Sequence, residues 1–236
     1  ASEGKFILHF GGYGMGNGQF SSPTGIAIDS TDNAWVASGG GRVQKFNSEG
    51  TFIKTWNVPS MSANGIAIDS AGKVWVAGNF LATPKVKKLT TSGEVLLEFG
   101  AAGTGNGQFS STGPPEDIAA DSEGNVLVVD TGNHRVQEFD SEGTFVRKYG
   151  SEGTGNGLFK SPRGLTVDSE SRVWVIDTGN NRAQRLSAKG SYQTQFGTTG
   201  SSEGQFQGPK GIAVDPEGDI WIADTGNNRV QEWECP

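Results

Sequence analysis

Three short runs place a carboxylate, an amide and a guanidinium within six residues of one another: Asp130-Thr131-Gly132-Asn133-His134-Arg135, Asp177-Thr178-Gly179-Asn180-Asn181-Arg182 and Asp224-Thr225-Gly226-Asn227-Asn228-Arg229. Such groups can ligate a metal or a phosphate. They are also what a tight turn needs, through Asx hydrogen bonds and a left-handed backbone position. Repetition in three places favours the turn, with Arg135, Arg182 and Arg229 each pairing with the aspartate of its own or a neighbouring repeat. Gly103-Thr104-Gly105-Asn106-Gly107 and its relatives at 14–18 and 153–157 end without Lys-Ser/Thr, so they are not P-loops. The only histidines, His9 and His134, are too few for a three-His zinc site and suggest no Ser-His-Asp arrangement. His9 is expected to face solvent, and His134 replaces a turn asparagine. The single cysteine, Cys235, cannot form an internal disulfide. No metal site, catalytic residue or cofactor is expected.

The elements that hold these runs follow from an internal period. Gly25-Ile26-Ala27-Ile28-Asp29 returns at 65–69, 117–121, 164–168 and 211–215, with terminal aspartates 40, 52, 47 and 47 residues apart. Each copy continues with a β-branched and aromatic run, such as Trp174-Val175-Ile176. An alternating run follows, such as Arg135-Val136-Gln137-Glu138-Phe139, and then a fourth, such as Phe145-Val146-Arg147-Lys148-Tyr149. Period-two alternation between hairpin-length turns predicts antiparallel meanders of four strands. Meanders repeating every 40–50 residues are the sequence form of propeller blades. The 37 glycines among 236 residues serve these turns. The expected fold is a single all-β propeller domain over 1–236, with five blades near 23–56, 63–99, 115–149, 162–196 and 209–233. A strand at 4–10 is expected to close the ring on Arg229–Trp233, removing two open edges.

The recurring Asp-Thr-Gly-Asn-x-Arg-x-Gln, the Gly-x-Gly-Asn-Gly-x-Phe crossovers and Pro-x-Gly-Ile-Ala-x-Asp together resemble the NHL-repeat family of β-propellers over nearly the whole chain. That resemblance implies six blades as the family norm, so a five-blade ring is a departure from it. It also implies two alternatives, a lyase- or hydrolase-type propeller enzyme and single-stranded RNA binding. Amidating lyases similar to this family use several zinc-binding histidines, which this chain lacks. The crossover phenylalanines and the second-strand tryptophans Trp35, Trp75, Trp174 and Trp221 are expected to pack between blades rather than to form a binding set.

Function is expected where the repeats disagree. The residues entering the five first strands are Thr24, Asn64, Glu116, Arg163 and Lys210, all different. Asp117 stands where the other copies have glycine. Blade 2 replaces the Asp-Thr-Gly-Asn turn with a longer loop containing Asn79, Phe80, Leu81 and Lys85, whose apolar members could anchor a partner. These ten residues define a predicted recognition face for a protein or other small ligand, on a non-catalytic scaffold. A net charge of −7 and a mixed-sign ring argue against nucleic acid. No run of 18 apolar residues is present to insert into a membrane. A monomer is expected, and the Gly/Asn/Ser/Thr-rich acidic composition points to an extracytoplasmic or cell-surface setting.

Overall fold

The computed structural model describes residues 8–81 and 83–234. Four blades are four-stranded antiparallel sheets in sequential order. Blade 1 comprises Pro23–Ile28, Ala34–Ser38, Arg42–Phe46 and Phe52–Asn57. Blade 2 comprises Ser62–Ile68, Val74–Phe80, Thr83–Leu89 and Val95–Phe99. Blade 3 comprises Ile118–Ala120, Val126–Asp130, Arg135–Phe139 and Phe145–Tyr149. Blade 4 comprises Leu165–Val167, Val173–Asp177, Arg182–Leu186 and Tyr192–Phe196. Blade 5 shows three strands among the described residues, Gly211–Val214, Ile220–Asp224 and Arg229–Trp233. The five blades stand around a central axis as a propeller ring, with the short first strands innermost. No α-helix occurs among the described residues.

Glycine opens the first strands because their backbones nearly touch. A Cβ at Gly65 would lie 2.7 Å from Asp117 Cα, and one at Gly164 would lie 2.2 Å from Lys210 O. Farther out, each seam between neighbouring blades is a core of its own. The face of one blade, such as Trp75, Ala77 and Val86 of blade 2, packs on Ile118, Val126, Val128 and Phe139 of the next, with the crossover ring of Phe109 wedged between. Phe109, Phe159 and Phe206 are fully buried in this way. Removing such a ring costs about 3–5 kcal/mol.

The seam between blades 5 and 1 differs. Val230, the counterpart of buried Val86 and Val136, is 63% exposed, and Ile26, the counterpart of Ile66 and Ile118, is also 63% exposed. Of the predicted closing strand 4–10, residues 4–7 lie outside the described residues. Its last residue, Phe10, packs on Phe46 of blade 1 with ring centroids 4.7 Å apart.

The aspartates that end the first strands have a role that only the structure reveals. In four blades the indole N–H of the second-strand tryptophan donates to that aspartate: Trp35 to Asp29, Trp75 to Asp69 and Trp221 to Asp215 at 2.8 Å, and Trp174 to Asp168 at 3.1 Å. The same carboxylates accept the N–H groups of their own hairpin turns, as Asp168 does from Glu170 and Arg172. Desolvation pulls the Asp168 carboxyl upward, but Arg172, these turn bonds and Trp174 together hold it below the usual range.

Candidate functional site

The Asp-Thr-Gly-Asn runs form a structural lattice. Each turn is one 3₁₀ turn followed by a left-handed residue, His134, Asn181 or Asn228, at φ of 56°, 53° and 52°. Asp130, Asp177 and Asp224 are fully buried. Their Oδ2 atoms accept from Arg135, Arg182 and Arg229 Nε of the same blade at 2.8, 2.7 and 2.8 Å, and from Asn133, Asn180 and Asn227 at 2.9, 2.8 and 2.8 Å. Their Oδ1 atoms accept the backbone N–H groups of Ser110, Lys160 and Gln207, which belong to the preceding crossovers. The guanidinium groups donate onward to crossover carbonyls, such as Gly105 and Gln108 for Arg135. In this lattice the carboxylates, amides and guanidinium groups are bonded to one another and to the crossovers. His134 is used too: its Nδ1 accepts the Ser161 N–H at 2.8 Å.

Blades 1 and 2 solve the same problem with other residues. In blade 1, Arg42 and Gln44 still reach the carbonyl of Gln19, although Ser38 replaces the aspartate. In blade 2, Lys87 takes the glutamine position, donating to Pro59 O at 2.5 Å and pairing with Glu98 at 3.0 Å. Lys85, named above as a recognition residue, also pairs with Glu98, at 3.1 Å.

The predicted long loop of blade 2 is an extended hairpin. Asn79 pairs with Pro84 and Phe80 with Thr83 across its strands. Leu81, at its tip, is 84% exposed. Asn64 is engaged as well, donating to Pro115 O of the blade 3 crossover at 2.9 Å.

The remaining predicted residues come together. Thr24, Glu116, Asp117, Arg163 and Lys210 line one recess of about 270 Å³ at the axis, with Ile26, Ile212 and the bare backbones of Gly25 and Gly211 completing its walls. Thr24 is held by its hydroxyl donating to Ala63 O at 2.9 Å. Glu116 and Arg163 form an ion pair of 3.1 Å between blades 3 and 4. Asp117 spans the same two blades: its carboxylate accepts the N–H groups of Ile118 and Leu165, each at 2.9 Å. Desolvation pushes that carboxyl up to about 7, because it outweighs the two N–H bonds that favour the anion, and the neighbouring Glu116 charge adds to the rise. Lys210 is exposed, and its ammonium has no ion pair or hydrogen bond among the described residues. The isoleucines were not identified from sequence as site residues. They lie two positions beyond Thr24 and Lys210 at the start of the first strands of blades 1 and 5.

Two other acidic groupings lie outside the recess. Asp29, Asp69, Asp121 and Asp168 rim the opposite end of the axis, where each caps its own hairpin turn. Asp215, Asp219 and Glu232 have carboxylate oxygens within 4.8 Å of one another. Asp215 already accepts from Trp221 Nε1 and from the Asp219 N–H.

Residues 114–139 and 206–233 match the family model of the NHL repeat. No curated protein matches the chain. Among solved structures, the chain is similar to virginiamycin B lyase from Staphylococcus aureus at 19% identity, over 91% of this chain and 70% of that one, with a TM-score of 0.65. A streptogramin B lyase is similar at 19% identity over 92% and 70%, with a TM-score of 0.66. A Bacteroides caccae protein of unknown function is similar at 15% identity over 86% and 70%, with a TM-score of 0.64. At these identities the likeness is one of fold.

Proposed function

Taking the chain as an NHL-repeat β-propeller, we propose that it is a non-catalytic binding module that holds its ligand in the recess at the axis. The observation that supports this reading is convergence. Five residues by which the blades differ, from four separate blades, line one concavity, while the residues by which blades agree are consumed in packing. A propeller fold by itself fixes no function. Ligand sites are concave and carry convergent polar groups, and the recess brings four charged side chains and Thr24 together beside Ile26 and Ile212. The fold likeness to two lyases does not favour an enzyme here, because it stands at 19% identity.

The test is a ligand-observed NMR screen of a fragment library containing acidic, basic and neutral members. Hits are expected on the native protein and are expected to be lost together in Glu116→Ala and Arg163→Ala. Hits that persist in both variants, or no hits at all, would remove the reading.

A further inference from the structure

We propose that the recess takes an organic monocarboxylate with a short aliphatic body, its carboxylate on Lys210 and Arg163 and its body against Ile26 and Ile212. This rests on the binding reading above and adds the chemical class of the ligand.

Charge selects the anion. Four charged side chains line the recess: Glu116, Asp117, Arg163 and Lys210. Glu116 is neutralised by Arg163, and the Asp117 oxygens are turned onto the Ile118 and Leu165 N–H groups. Lys210 is then the one uncompensated charge, with three N–H donors available. The Glu116 contact is made by Nη1 of Arg163, which leaves further donors of a five-donor fork for a second acceptor. A cationic ligand would meet Lys210 with no free carboxylate to offset it. A dianion such as a phosphate ester would bring a second charge towards Glu116 and Asp117. A single negative charge suits the balance.

The walls select the body of the ligand. Ile26, left 63% exposed at the seam between blades 5 and 1, and Ile212 are the two apolar side chains lining the recess. A volume of about 270 Å³ lies just below the usual range for drug-sized ligands, so a body of a few carbons fits.

Asp117 adds a pH dependence. Its carboxyl titrates near 7, among Glu116 on its own strand entry, Arg163 from blade 4 and Lys210 from blade 5, with only neutral Thr24 and Asn64 from blades 1 and 2. As pH rises through that value, Asp117 becomes an anion beside the bound carboxylate and weakens it.

Isothermal titration distinguishes the possibilities. The probes are 4-methylpentanoate, its primary amide, and a short peptide ending in leucine with a free or an amidated C-terminus. The acid is expected to bind at least tenfold more tightly than its amide. Lys210→Ala is expected to lose about tenfold and Lys210→Glu to abolish binding, with unfolding midpoints unchanged. Affinity should fall several-fold from pH 6 to pH 8 in the native protein and stay flat in Asp117→Asn. The free-ended peptide binding as tightly as the small acid would place the source in a peptide C-terminus; rejection of it would place the source in a free acid. Equal binding of acid and amide, or undiminished binding by Lys210→Ala, would overturn the proposal. Neutral or basic fragments held at the recess in the earlier screen, with carboxylates absent, would sink this inference while leaving the binding reading intact.

Discussion

The turn lattice of blades 3 to 5 and the recess at the axis use the same side-chain chemistry to opposite ends. In the lattice, Asp177 receives Lys160 N–H, Asn180, Arg182 and Gln184 all at once and is fully buried. In the recess, Lys210 is exposed and unpaired among the described residues, and the Glu116–Arg163 pair leaves 37% of the arginine side chain accessible. Charge that is fully spent on neighbours builds the molecule. Charge held in place but not spent is available to a ligand.

The largest effect that sharpens this contrast comes from the lattice. Asp177→Ala strands a buried guanidinium, and a loss of about 3–5 kcal/mol is expected from urea unfolding. A loss under ~1 kcal/mol would show that the lattice is not what stabilises the blade. Next is Asp69→Ala, which leaves the buried Trp75 indole N–H without an acceptor and should cost about 1–3 kcal/mol.

Asp117 lies between the two regimes. Its folded carboxyl is raised to about 7, so the folded state binds more protons than the unfolded chain between the ordinary carboxylate value and 7. Stability from this group is therefore greatest at low pH and is lost as pH rises through 7. Asp117→Asn should stabilise the protein by roughly 1–2 kcal/mol more at pH 8 than at pH 5, given its partial exposure. The smallest effect belongs to the recess. Lys210→Ala should leave stability within about 0.5 kcal/mol, and a larger loss would mean that Lys210 is structural after all.

Most of the fold was legible because strand identity depends on local period. The Gly-Ile-Ala-x-Asp phase placed five blades, and the Asp-Thr-Gly-Asn runs were readable as turns whose arginines pair with an aspartate of their own or a neighbouring blade; that the pairing stays within the blade came only from the structure. What was not legible depends on distances between elements. The sequence contains both Asp168 and Trp174, but nothing in a six-residue separation says that indole and carboxylate meet across a hairpin. Gly78 to Lys85 reads as a loop, whereas cross-strand pairing of Asn79 with Pro84 makes it a longer ladder. The same limit divided the predicted site residues. Comparing blades within the chain singled out Thr24, Glu116, Asp117, Arg163 and Lys210, which line one recess. It gave no means to see that Asn64 is used up by Pro115 O, or that Lys85 is occupied by Glu98.

The most direct test of the division between spent and unspent charge is a map of backbone amide shifts as 4-methylpentanoate is added to the native protein. Shifts should cluster at residues 24–26, 116–118, 163–165 and 210–212 and leave the turns at 130–135, 177–182 and 224–229 unmoved. Shifts centred on those turns, or none near the axis, would contradict it.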